Sequence, residues 1–118
     1  MENAKKELVE ALDDITKQYS VSVKCAWIKY REDYSGTNKV HAYLPVGFNT
    51  GELVDFLREI DFDYEDGWGC QELFGQVWFD DGSWMERGEY DGAEWWEYKR
   101  TPEIPAYLTV EQEWISNT

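Results

Sequence analysis

Three features of the sequence predict an α+β fold: two stretches with apolar residues at helical spacing, several runs with the two-residue alternation of strands, and two Asp-Gly pairs set between such runs. Together they give one domain over residues 1–118, with two helices packed on an antiparallel sheet that ends in a C-terminal three-stranded meander. At 118 residues, folding hides roughly two-thirds of the surface of the unfolded chain, enough for one core.

The elements follow in chain order. Leu8, Leu12, Ile15 and Tyr19 recur every three or four residues and predict a helix over 3–19, with Asn3 placed to cap its first turn. In 20–31, Val21, Val23, Cys25 and Trp27 alternate with Ser22, Lys24, Ala26 and Ile28, the period of a half-buried strand. A turn then leads to a second strand over 40–47, which Pro45 ends or places at an edge, so the two form a hairpin. Asn49 or Thr50 can cap a second helix through Ile60, with Leu53, Phe56, Leu57 and Ile60 on one stripe. An acidic, glycine-rich loop follows. From 74 to 100, Asp81-Gly82 and Asp91-Gly92 supply the positive φ angles of tight hairpin turns and define three antiparallel strands. Pro102 and Pro105 end the sheet, and the tail from Tyr107 through Ser116 is a final helix or strand.

If both Asp-Gly turns are two-residue loops, one face of the meander carries Val77, Phe79, Trp84, Glu86, Tyr90, Trp95 and Glu97. The other carries Gln76, Trp78, Met85, Arg87, Glu89, Glu94, Trp96 and Tyr98. Helices can cover only one of them. Either Trp78, Trp96 and Tyr98 remain as a partly open patch beside carboxylates, as interaction surfaces often are, or the tail with Tyr107 and Trp114 packs over it. The register sets Glu86 opposite Glu97 and Glu89 opposite Glu94, like-charge pairs that cost stability, so either a bulge at Gly88 shifts the register or negative potential is tolerated there.

The net charge of -14 is unevenly spread. Residues 1–50 carry seven acids and seven bases; residues 51–118 carry eighteen acids against Arg58, Arg87, Lys99 and Arg100. Such asymmetry disfavours direct contact with nucleic acid or an anionic membrane and favours a basic partner, although it also serves solubility. No window approaches the roughly 20 apolar residues that cross a bilayer, and the N-terminus has no leader pattern, so a cytoplasmic location is expected. Cys25 and Cys70 make no disulfide framework in a reducing compartment.

Catalytic signals are weak. His41 is the only histidine and has no nucleophile signature beside it, which leaves a structural residue on a strand. His41, Cys25 and Cys70 lack the paired spacings of a zinc site. Asp61, Asp63, Glu65 and Glu72 match positions 1, 3, 5 and 12 of a calcium loop, yet Asp66 stands where the template needs glycine. The expectation is therefore no enzyme and no cofactor or metal.

The segment VWFDDGSWMERGEYDGAEWWEYKRTPEIP resembles the Trp-rich, Asp-Gly-turned hairpins closed by Pro-x-Ile-Pro found in small accessory proteins of tailed bacteriophages. That class includes acidic DNA mimics that block host nucleic-acid-binding proteins. The resemblance implies a protein acting in the host cytoplasm. The leading expectation is a non-enzymatic protein docking on a basic protein surface through Glu86, Glu89, Glu94, Glu97, Trp78, Trp96 and Tyr98. In that reading the aromatics anchor, the carboxylates steer, and a carboxylate row with a spacing near 7 Å stands in for phosphates. The alternative is a small structural or accessory domain, a homodimer through its aromatic sheet face, with charge serving solubility.

Overall fold

The structure, a computed structural model, describes residues 1–31, 38–65 and 71–109. It is α+β. The chain runs β1 (Glu2–Asn3), α1 (Ala4–Tyr19), β2 (Val23–Arg31), β3 (Asn38–Leu44), α2 (Thr50–Glu59), β4 (Asp63–Tyr64), β5 (Leu73–Phe79), β6 (Trp84–Tyr90), β7 (Ala93–Lys99) and α3 (Ala106–Thr109). Five strands form one antiparallel sheet in the order β3-β2-β5-β6-β7, and β1 pairs with β4 in a separate two-stranded ribbon.

Both long helices start at side-chain caps. The Asn3 carboxamide oxygen accepts from the Lys6 amide at 2.9 Å. Asn49 and Glu52 exchange two such bonds in a capping box, which satisfies amides that the first turn would otherwise leave without acceptors. The apolar stripes of α1 and α2 pack on the same face of the sheet. There Leu8, Phe56 and Ile60 meet Ala26, Ile28, Ala42, Leu44, Leu73, Val77, Phe79 and Met85 in a single core. Along β5 burial alternates strictly, with Leu73, Gly75, Val77 and Phe79 inward and Phe74, Gln76 and Trp78 outward.

The two Asp-Gly turns differ. At Asp91-Gly92 both residues have positive φ, 52° and 88°, and Tyr90 pairs with Ala93 across a two-residue loop. At Asp81-Gly82 only Gly82 does, and the loop is longer because Asp80 is held elsewhere. Its amide donates to the Ser22 carbonyl at 2.9 Å, while its carboxylate accepts from the Ser22 amide at 3.0 Å. Asp81 turns back to accept from the amide and hydroxyl of Ser83. Trp78 therefore faces Trp84, and Val77 faces Met85.

That slip of one residue corrects the expected faces, because a one-residue shift moves a whole strand's side chains across the sheet. Val77 and Phe79 share the helix-covered face with Met85, Arg87, Glu94, Trp96 and Tyr98, and Trp78 joins Trp84, Glu86, Trp95 and Glu97 on the other. Glu86 does stand opposite Glu97, and Glu89 opposite Glu94, with no bulge at Gly88. In the tail, Tyr107 is exposed, and Trp114 lies outside the described residues.

Candidate functional site

On the face away from the helices, β2 presents Cys25, Trp27, Lys29 and Arg31, and β3 presents Lys39, His41 and Tyr43. Next to them β5 presents Phe74, Gln76 and Trp78, β6 presents Trp84, Glu86 and Tyr90, and β7 presents Trp95, Glu97 and Lys99. No described helix packs over these residues. Four tryptophans share the face; Trp27, Trp78 and Trp84 are half-buried among their neighbours, Trp95 is 37% exposed and Tyr43 61%.

The face is electrostatically divided. At its β2–β3 end Lys29 stands over the Trp27 ring at 5.4 Å and Arg31 over the Phe74 ring at 4.5 Å, contacts that stabilise cations on aromatic faces. Within β2, β3 and β5 no outward position is a carboxylate. Cys25, Trp27, Lys29, His41, Tyr43, Pro45 and Trp78 line a depression of about 450 Å³ there, and the Tyr43 hydroxyl lies 2.8 Å from His41 Nδ1. At the β6–β7 end Lys99 Nζ sits 2.6 Å from Glu86 and 3.8 Å from Glu97. The ammonium offsets the like-charge pair, and the two carboxylates in turn hold its pKa above the ordinary lysine value. Trp95 packs against Gly88 and donates from Nε1 to Glu97 at 2.9 Å; a Cβ on Gly88 would come within 2.6 Å of that nitrogen.

The seven residues expected to bind a partner are split by the sheet. Trp78, Glu86 and Glu97 share the open face. Glu89 is exposed at the end of β6, where its carboxylate accepts the Gly92 amide at 2.9 Å and closes the turn. Trp96, Tyr98 and Glu94 point under the helices. Tyr98 packs on Tyr19 with ring centroids 4.5 Å apart and donates to Ser83 Oγ at 2.9 Å. Trp96 crosses β6 to lie on Gly75, where an added Cβ would meet its ring at 2.8 Å. The four glutamates thus form no single row. Trp84, Trp95 and Trp27 belong to the open face and were missed; the signal was that a face bearing Glu86 and Glu97 is a poor core, so its other members had to be outward.

Glu94 belongs to a buried network. Its side chain is fully buried and accepts the amides of Glu72 and Leu73 at 3.0 and 3.1 Å. The Arg87 guanidinium, also buried, reaches it at 3.3 Å, Glu7 of α1 at 2.6 Å and the Tyr64 hydroxyl at 2.7 Å, and lies 5.1 Å from the Trp96 ring centre. Tyr64 donates to Glu7 at 2.6 Å. Burial raises the Glu7 pKa, against the lowering effect of Tyr64 and Arg87, and burial also raises that of Tyr64.

The other sequence candidates are placed as follows. Asp61 and Asp63 of the calcium-like stretch both accept from the Asn3 side-chain amide, at 3.2 and 3.1 Å, and Tyr64 between Asp63 and Glu65 is a buried core residue. The strand pairing of β4 with β1 thus shapes this stretch. Cys25 is a free thiol, and Cys70 and Asp66 lie outside the described residues. An apolar cleft of about 340 Å³ between α1 and α2 is lined by Val9, Leu12, Leu53 and Phe56, among others. No helix among the described residues is long and apolar enough to cross a membrane. Comparison with family models, with curated proteins and with solved structures returns no match.

Proposed function

We propose that the protein is a small non-enzymatic binding protein that uses the open sheet face to dock on another protein, its β6–β7 end meeting a basic patch. The observation that supports this reading is the uncovered face itself. A five-stranded sheet presents four tryptophans beside Glu86 and Glu97, with no described helix over them. Aromatic side chains of this kind supply desolvated anchor area, and rim carboxylates steer association and select the partner. A nucleic-acid-binding protein of the host is one source of such a basic patch, as the phage-like hairpin implies. Glu86 and Glu97, rather than a four-carboxylate row, are then the acidic contacts.

The test is capture of partners on the immobilised protein followed by titration of the recovered partner at two salt concentrations. Affinity is expected to fall with salt, and to fall further for Glu86→Gln with Glu97→Gln and for Trp95→Ala. A confirmed partner whose affinity is indifferent to all three changes would remove the open face from the interface.

A further inference from the structure

We infer that the outer edge of β3 is a second binding surface, and that its partner is an extended acidic segment of another protein, added to the sheet as a further strand. This goes beyond the open-face reading, because it uses main-chain groups at the margin of the sheet rather than side chains on its face. In an antiparallel sheet the amide and carbonyl of one residue point to the same side and those of its neighbours to the other, so a few bonds fix the phase of the whole ladder. The Phe79 amide donates to the Ser83 carbonyl at 2.9 Å, which turns Phe79, Val77 and Gly75 toward β6 and Trp78, Gln76 and Phe74 toward β2. Gln76 pairs with Trp27 and Phe74 with Lys29, so Trp27 and Lys29 point to β5. The Arg31 amide, which donates to the Glu72 carbonyl at 2.9 Å, keeps the same phase. Ala26, Ile28 and Tyr30 therefore point to β3, where they pair with Leu44, Ala42 and Val40. His41 and Tyr43, set between those three, are left with both main-chain groups aimed away from the sheet.

β3 is an edge strand, His41 and Tyr43 are exposed, and none of the described residues hydrogen-bonds to their outward main-chain groups. At the opposite edge the same phase turns out Glu94, Trp96 and Tyr98, which are buried or half-buried with their side chains under the helices. The β3 edge is also limited in length, which keeps it from templating open-ended sheet growth. Pro45 has no amide at the next outward position, its carbonyl accepts from Phe48 at 3.2 Å, and at the other end the pairing shifts between Tyr30 and Arg31. A short antiparallel segment laid here exchanges both bonds with His41 and both with Tyr43. Charge selects the occupant. The outward side chains of β2 and β3 include Lys29, Arg31 and Lys39 and no carboxylate. A residue opposite His41 in an added strand is level with Lys29 and two strand spacings from it, about 10 Å, a gap that an acidic and a lysine side chain close between them. A second copy joined edge to edge would instead line both sides of the seam with the same cations.

The test is amide hydrogen exchange of the full chain by NMR, alone and with a blocked peptide of about nine residues that alternates glutamate with valine. In the free chain the amides of His41 and Tyr43 should exchange fast and those of Ala42 and Leu44 slowly. The glutamate peptide should slow His41 and Tyr43 by about tenfold or more, and the same peptide with lysine in place of glutamate should not. Tyr43→Pro removes one outward amide and no bond within the sheet. It should fold, as circular dichroism reads, and bind the glutamate peptide about tenfold more weakly than Tyr43→Val, which keeps the amide. No slowing by the glutamate peptide, equal slowing by the lysine peptide, or equal binding by the two Tyr43 variants would overturn the inference. A free chain that already protects both amides and sediments as a dimer would give the edge to a second copy and overturn the acidic segment as its partner.

Discussion

The adjacent residues Trp95 and Trp96 point to opposite faces of β7, and the two faces handle the same chemistry differently. Each indole lies over a glycine, Trp96 over Gly75 under the helices and Trp95 over Gly88 in the open. Each face also has a like-charge pair beside a cation. Under the helices the cation is Arg87, whose planar fork reaches Glu7, Glu94 and Tyr64 while two backbone amides complete Glu94. On the open face it is Lys99, a partly exposed point charge shared by Glu86 and Glu97. The contrast teaches that similar residues hold the fold where water is excluded and contribute little to it where it is not. A buried charge left without its counter-charge is costly, whereas an exposed ion pair contributes little.

The largest effect should come from breaking the buried side of the comparison. Arg87→Met leaves Glu94 and Glu7 under the helices without their cation and should cost about 3–5 kcal/mol in urea unfolding. A loss under 1 kcal/mol would mean that the network does not hold the helix to the sheet. The glycines sharpen the contrast. Gly75→Ala drives a methyl against Trp96, the Trp27 carbonyl and Ile28 and should cost about 1–3 kcal/mol, while at Gly88 the obstructing Trp95 and Glu97 can swing into solvent. Equal losses at the two positions would deny that the faces differ.

A pH comparison is finer. Burial raises the folded-state pKa of Glu7, so its contribution is fully present below the ordinary value near 4.5 and is lost as pH rises through the folded value. Relative to Glu7→Gln, the wild type should therefore be more favoured at pH 4 than at pH 7 in paired urea melts. A gap that widens toward pH 7 would show the Arg87 attraction outweighing burial. The smallest effect is expected at the open pair. Glu86→Gln with Glu97→Gln relieves a like-charge contact but strands Lys99, and its free energy of unfolding should change by less than about 1 kcal/mol.

What the sequence made legible was local. Asn3 and Asn49 cap helices through partners three residues away, and Asp91-Gly92 forms its turn from its own φ angles. What it hid was set by distant partners. Asp80 lengthens its loop because Ser22, 58 residues earlier, binds both its amide and its carboxylate, and that one contact exchanged the faces of β5. Glu94 reads as a surface carboxylate until Arg87 and Glu7 of α1, 80 residues apart in sequence, are brought to it. The ribbon of Glu2–Asn3 with Asp63–Tyr64 is too short to carry a periodic signal. Of the open site, the carboxylates Glu86 and Glu97 and the aromatic Trp78 could be named in advance, and the cationic β2–β3 half could not, since nothing local joins residues near 30 to residues near 75.

The most direct measurement of whether one face holds the fold more than the other is urea unfolding of Trp96→Ala beside Trp95→Ala. Trp96→Ala should lose about 3 kcal/mol or more, as large-to-small changes in packed sites do, and Trp95→Ala clearly less, because 37% of it is exposed. Equal losses, or a larger loss at Trp95, would contradict the assignment of the two faces.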